Sequence, residues 1–291
     1  MVSGSPLVSV ALPFLNCERT LENAVRSIQL QTFTDWELIM VNDGSKDKSL
    51  EIAEKFKDGR IKVISNGPSG GLVYSLNRAI SLSNGKYFAR MDADDISYPQ
   101  RFEKQLRYLN EHPEIDLVGS WILVFGESGV PLGKRAGPEK HSQICASPLK
   151  GFPIAHPTYL GKLDWFKKHK YVEWAVRGED YELLYRTCRQ SNFANVQEIL
   201  LGYNESNLDI KKALRSRATK INVHFKSYRS GKETIWDTAS VITMQSLKAL
   251  YESLAILTGL EHRLLNHRVP EKPNKTEMEQ WRELIADMVP L

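Results

Sequence analysis

The first 125 residues alternate short apolar runs with amphipathic segments, and that alternation leaves few architectures open. Leu7–Leu12, Glu37–Val41, Ile61–Ile64, the run from Lys86 and Asp116–Phe125 read as strands. Glu18–Gln31, Leu50–Phe56, Gly70–Ser83 and the stretch from Pro99 read as helices. Their periodicity is helical: Leu21, Ala24, Val25 and Ile28 share one face, as do Leu72, Leu76, Ala79 and Ile80. Pro99 suits a first helical turn. A strand–helix rhythm of this kind implies an α/β fold, with a mostly parallel sheet covered by helices on both faces.

Residues 126–150 are rich in Gly, Pro, Ser and charge and read as a loop excursion. Gly178-Glu179-Asp180 then opens a helix to about Gln190, and Phe193–Leu200 returns to the sheet. Beyond Asn207 the character changes. Leu214, Ala218, Ile221, Phe225 and Tyr228 recur at helical spacing, and eight Lys/Arg but no Asp/Glu lie between Lys211 and Lys232. A second helical pattern follows from Val241, and a weaker one contains Trp281. The expected division is therefore an α/β domain at 1–206 and a C-terminal helical region at 207–291. A net charge of +4 gives no global field for nucleic acid. Three dispersed cysteines, Cys17, Cys145 and Cys188, suggest neither zinc nor a disulfide framework and fit a cytoplasmic protein. No signal peptide or run of about 18 uncharged apolar residues stands out.

The chemistry is concentrated in KYFARMDADD, Lys86–Asp95. An apolar strand ends there in Asp92, Asp94 and Asp95. In open α/β sheets, strand C-termini face the ligand crevice. Clustered carboxylates are costly unless a cation or donors offset their repulsion. Asp92-Ala93-Asp94 therefore reads as a hard-metal site for a diphosphate ligand. If the strand alternates, Arg90 shares a side with Asp92 and can pair with it or with a phosphate. Asp95 has the additional reading of a cap for the helix from Pro99. Asp43, at another strand end, could accept an imide N–H of uracil or thymine, or cap the helix near Ser49.

Six segments in order give a resemblance to the family 2 glycosyltransferases. They are VSVALPFLN (8–16), VNDGSKDKS (41–49), GLVYSLNRAI (71–80), GKYFARMDADDISYPQRFEKQ (85–105), AHPTYL (155–160) and GEDYELLYR (178–186). The resemblance, of bacterial surface-polysaccharide type, spans Val8 to Tyr203. It implies a GT-A fold, Rossmann-like, with the helical extension outside it. It implies an inverting, non-processive, metal-dependent enzyme moving a sugar from a UDP- or dTDP-sugar to a saccharide or lipid-linked saccharide. Pro13, Phe14, Asn16, Asp43, Arg90 and Asp92 would bind the donor nucleotide. Asp94, with Asp92, would hold Mg²⁺ or Mn²⁺. Asp180 would be the catalytic base, with Glu179 as alternative base or acceptor contact and His156 near the acceptor. Trp165 and Trp174 are candidates for stacking on sugar rings or for burial.

The sequence departs from the family's pattern at Leu201-Gly202-Tyr203-Asn204, where Arg is usual in place of Asn204 and a His normally follows. Gln280-Trp281-Arg282 does not match the signature of processive synthases. The basic first C-terminal helix fits a membrane surface, at the inner face of the plasma membrane, or simple packing on the domain. The second fits a homodimer equally well. A non-catalytic nucleotide-sugar-binding protein is the alternative reading. A haloacid-dehalogenase-like phosphatase is a further one, although Leu7–Asn16 lacks the Asp pair that chemistry needs.

Overall fold

A computed structural model describes residues 4–67, 69–126, 128–205, 210–258 and 271–288. The proposed boundary at 206/207 lies outside the described residues. The alternation seen in the sequence appears as β1 (Val8–Phe14), α1 (Leu21–Gln29), β2 (Trp36–Asn42), α2 (Ser49–Lys55), β3 (Ile61–Ser65), α3 (Gly71–Leu82) and β4 (Tyr87–Arg90). Strands β1 and β2 are buried at every position, as continuous apolar runs between two helical layers must be. They pair in parallel, β3-β2-β1-β4, and Val8, Val10 and Leu12 pack under Leu21, Val25 and Ile28 of α1. On the other face Ala11 and Ile39 pack with Leu76 and Ile80 of α3.

Beyond β4 the sheet becomes mixed. It continues through β8 (Leu160–Lys162), β6 (Leu117–Phe125), β9 (Phe193–Asn204) and β5 (Ile96–Ser97), with β7 (Pro131–Arg135) beside β6. β8 is antiparallel to both β4 and β6, whereas β6 and β9 are parallel. Helix α4 (Arg101–Glu111) packs behind β6 and β9 through Phe102 and Leu106. The excursion at 126–150 contains β7 and a short α5 (His141–Ile144). β8 is followed directly by α6 (Leu163–Lys168), and α7 spans Glu179–Thr187.

Three helices complete the described chain: α8 (Ile210–Arg229), α9 (Ile235–Leu257) and α10 (Lys275–Met288). α8 packs on α7, where Gly178 leaves room for Thr219, whose hydroxyl donates to the Val176 carbonyl at 2.6 Å. α10 packs at the β9–β5 end of the sheet, with Trp281 buried against Tyr98 and Phe125 and its indole N–H donating to the Gly129 carbonyl at 2.9 Å.

Candidate active site

The end of β4 delivers the acidic cluster. Arg90 is 1% exposed, and one guanidinium nitrogen, Nη2, pairs with Asp92 Oδ1. Its Nε and Nη1 are buried without a hydrogen-bond partner among the described residues. A second buried arginine, Arg101 of α4, donates from Nη2 to the Arg90 carbonyl at 2.7 Å. Burial lowers the Arg101 pKa to about 9. Asp94 is open to solvent on one side but crowded by protein on the others; that crowding and the Asp92 charge raise its pKa to about 6. Asp95 does not cap α4. It is buried, and its Oδ1 accepts the Asn204 N–H at 3.0 Å, tying β9's end to the cluster. Its Oδ2 has no hydrogen-bond partner among the described residues, and burial, then Asp92 and Asp94, push its pKa well up. Asn204, where the family usually has Arg, thus serves the cluster through its backbone.

Pro13 and Phe14 end β1 and are buried, whereas Asn16 is exposed in a left-handed conformation (φ 51°). Its Oδ1 accepts the Lys46 N–H at 2.8 Å, and its own N–H donates to Ser45 Oγ at 3.1 Å. The loops after β1 and β2 are therefore one unit. Asp43 is capped into that unit more firmly than its sequence suggested. Oδ1 accepts from Asn66 Nδ2 (3.1 Å), Gly70 N (2.9 Å) and Ser75 Oγ (3.1 Å), and Oδ2 from Ser69 Oγ (2.6 Å) and Gly71 N (3.0 Å). Burial alone would raise its pKa, but these hydrogen bonds outweigh it and hold the carboxyl below its ordinary value. The helix it caps is α3, not the one near Ser49. That task falls to Asp47, whose Oδ1 accepts the Ser49 N–H at 3.0 Å. An imide N–H would have to displace one of Asp43's present donors.

The segment around β8 carries the other half. Arg90 donates its N–H to the Tyr159 carbonyl at 3.0 Å. His156, just before, is buried. Its Nε2 meets the Tyr171 hydroxyl at 2.8 Å and its Nδ1 lies 3.8 Å from Glu179 Oε1. Burial and then the Arg90 charge drive the His156 pKa well down, so the ring is neutral. Burial and then Asp180 raise Glu179 to about 7. Glu179 also takes the Gly178 N–H at 3.0 Å, at the entrance to α7.

Asp180 differs from all of these. Its side chain makes no hydrogen bond or ion pair among the described residues. It lines a cavity of about 430 Å³ with Lys150, Phe152, Tyr159, Tyr181 and Lys220. His156 and Glu179 do not line it. Trp165 is buried, with its N–H donated to Ser191 Oγ at 2.8 Å, while Trp174 is half open beneath Lys226. The two acidic segments share one electrostatic neighbourhood, because the Asp92, Glu179 and Asp180 charges all act on the Tyr171 hydroxyl.

Among the described residues no group of three His, Cys, Asp or Glu side chains forms a ready-made metal cluster. The residues present still fit a hard cation. Asp92 and Asp94 offer oxygen donors whose mutual repulsion a cation would offset, and a Mg²⁺- or Mn²⁺-type ion takes its other ligands from water and phosphate. Arg101, Tyr171 and Lys220 were not picked out by sequence reasoning. The i, i+4 pair Arg101 and Gln105 on the buried face of α4 was the available signal for the first. Nothing local marked the others.

The family model "Glycosyl transferase family 2" matches residues 9–160. Along 211 residues the chain is 36% identical to "Putative glycosyltransferase EpsE" of Bacillus subtilis (strain 168), covering 70% of this chain and 75% of that one. The chain is a family 2 glycosyltransferase. The transferase's fold is that of solved structures at low identity. One is S. aureus TarS 1-349 in complex with UDP (TM-score 0.59, 16% identity, 97% of this chain and 79% of that one). Another is the mannosyltransferase PcManGT from Pyrobaculum calidifontis in complex with GDP-Man and Mn²⁺ (TM-score 0.60, 15% identity, 98% and 86%). Among the described residues no helix of the transferase is long and apolar enough to cross a membrane.

Proposed function

We propose that this glycosyltransferase inverts the anomeric centre of a UDP- or dTDP-sugar and adds one sugar per encounter to a saccharide or lipid-linked saccharide. The observation that carries this reading is Asp180. It is a carboxylate without a hydrogen-bond partner among the described residues; it lines a cavity, and its charge and that of Asp92 both act on the Tyr171 hydroxyl. A hydroxyl attacking C1 of a sugar must lose its proton, and a carboxylate within hydrogen-bond reach can take it. Lys220 lines the same cavity, and its charge interacts with that of Asp180.

On the donor side, the loop unit of Pro13, Phe14 and Asn16 forms the base and ribose wall. Asp43 accepts the base's imide N–H at Oδ2, exchanging it for the Ser69 hydroxyl. Arg90 orients Asp92 toward the donor. Asp94, with Asp92, holds a divalent cation, and the chemistry such an ion supplies is charge compensation for the departing diphosphate. Glu179, through the Gly178 N–H, fixes the turn that opens α7, so that Asp180 is presented to the acceptor from a set position. The alternative, a nucleotide-sugar-binding protein without catalysis, predicts binding alone.

A donor screen by thermal shift with Mn²⁺ present tests the reading. A nucleotide sugar at about 100 times its Kd stabilises the fold by about 2.7 kcal/mol. UDP- or dTDP-sugars should raise the melting temperature and, with acceptor, release nucleoside diphosphate. Binding without release across a broad acceptor panel would support the non-catalytic alternative. Stabilisation by GDP-sugars alone would overturn the nucleotide assignment.

A further inference from the structure

Helix α9 carries a surface that the transfer reaction does not use. It runs 23 residues, about 35 Å at 1.5 Å per residue. Trp236, Leu247, Leu250, Tyr251, Leu254 and Leu257 are all exposed, Trp236 by 80% and Leu257 by 81%. At 100° per residue these six fall on one half of the helix. The charged residues of α9, Asp237, Lys248 and Glu252, lie on the other half, where Glu252 and Gln245 bond Arg217 of α8 at 3.1 and 2.9 Å. An uncharged face of this length, with large side chains open to water, is unusual for a monomer and marks an interaction site.

Helix α8 extends the pattern. Leu214, Phe225 and Tyr228 are exposed on the side of α8 next to the α9 contact. The same helical spacing places Arg215 and Arg229 one row further round, both exposed, beside Lys226, whose ammonium lies over the Trp174 ring. The hairpin from 210 to 258 holds nine Lys/Arg against three Asp/Glu, although the whole chain is only +4. A second copy docked on this face would bring two such basic hairpins together. A nucleic acid would meet the charge but leave the leucines wet. An anionic bilayer surface satisfies both rows: acyl chains take the leucines, lipid phosphates take the Arg/Lys row, and Trp236 and Tyr251 suit the headgroup boundary. No described helix spans a bilayer, so α9 would lie in the interface plane.

We propose that the α8–α9 hairpin is a membrane-surface anchor: α9's uncharged face enters the headgroup boundary of an anionic lipid leaflet and α8's basic row binds its phosphates. The contact is independent of the donor and acceptor sites and is read without either ligand. Its failure would leave the transferase assignment standing, and the converse holds too.

The test is co-sedimentation of the full chain with vesicles of phosphatidylcholine and phosphatidylglycerol in roughly equal parts, against pure phosphatidylcholine, at low and high salt. Binding should require the anionic lipid and weaken with salt. Leu247→Ser/Leu250→Ser/Leu254→Ser, at exposed positions, should weaken it about a hundred-fold. The charge variant Arg215→Glu/Arg229→Glu, which leaves the apolar face intact, should abolish it at low salt. Retained nucleoside diphosphate release with a soluble acceptor would show that both variants are folded. Wild-type protein that stays in the supernatant with anionic vesicles overturns the proposal. So does a dimer in sedimentation velocity that the triple Ser variant dissolves, because a second copy would then cover the face.

Discussion

Replacing Asp43 by Asn separates its two tasks. Four donors converge on Oδ1, from Asn66, Gly70, Gly71 and Ser75, at 2.9–3.2 Å. They dictate the amide's orientation: its carbonyl must occupy the Oδ1 position and its NH₂ the Oδ2 position. Gly71 N–H then loses its 3.0 Å bond to Oδ2 and keeps only the longer one. The remaining bonds lose their charge assistance, and the α3 N-terminus loses an anion. One charge-assisted bond is worth about 1.5–3 kcal/mol and the helix-terminus charge about 0.3–1 kcal/mol, so the variant should be about 3 kcal/mol less stable. For a chain of this size that is a fall of roughly 6–10 °C in melting temperature. The same swap turns the acceptor offered to the base into a donor. Uracil's imide N–H is then mismatched, while cytosine's ring nitrogen is matched. UDP should bind about ten-fold more weakly, and CDP should bind at least as well as UDP. Differential scanning fluorimetry with each nucleotide and Mn²⁺ reads both effects. A melting temperature unchanged from wild type would refute the cap. The expected destabilisation with an unaltered preference for UDP over CDP would refute the base contact.

Two further variants probe the frame around the site. Glu179 has its pKa raised to about 7 by burial and Asp180, above the ordinary 4.5, so the folded state favours the protonated form. That contribution is complete below pH 4.5 and is lost as pH rises through 7; Glu179→Gln should therefore remove up to about 3 kcal/mol of pH-dependent destabilisation, read as converging melts at pH 5 and 8. A slope unchanged by the substitution would show that other groups carry it. Gly202 leaves no room for a side chain, because an added Cβ would lie 2.3 Å from the Trp281 ring. Gly202→Ala should cost about 1–3 kcal/mol by overpacking and expose Trp281, seen as a red-shifted emission. An unshifted spectrum would mean that α10 adjusts freely.

The legible parts of this fold were those held by local pattern. β1, β2 and α1 could be read because their whole length obeys one period and one burial rule. β8 has three residues and α6 six, too short to show a period, so neither is legible in the sequence. β9 reads from the sequence as Phe193–Leu200 but runs to Asn204, because Leu201–Asn204 continue the pairing with Ile122–Phe125 of β6. Asp92, Asp94 and Asp180 were recognisable from their motifs. Their surroundings were not. Asp43 is tied to residues up to 32 positions away, and Asp95 to Asn204 across 109. Lys220 reaches the Asp180 cavity from a helix beyond the family's motifs, and only the packing of α8 on α7 places it there.

In the proposed reaction Asp180 receives the acceptor's proton while residues 92–94 hold the donor's leaving group, and single-turnover transfer by Asp180→Asn puts that division of labour to the test. Asn keeps the shape and removes the base, so transfer should fall about 10²–10⁴-fold. Donor affinity with Mn²⁺ should change less than about two-fold, because Asp180 lies outside the donor loops. Transfer at the wild-type rate in that variant, or loss of donor binding in step with loss of transfer, would contradict it.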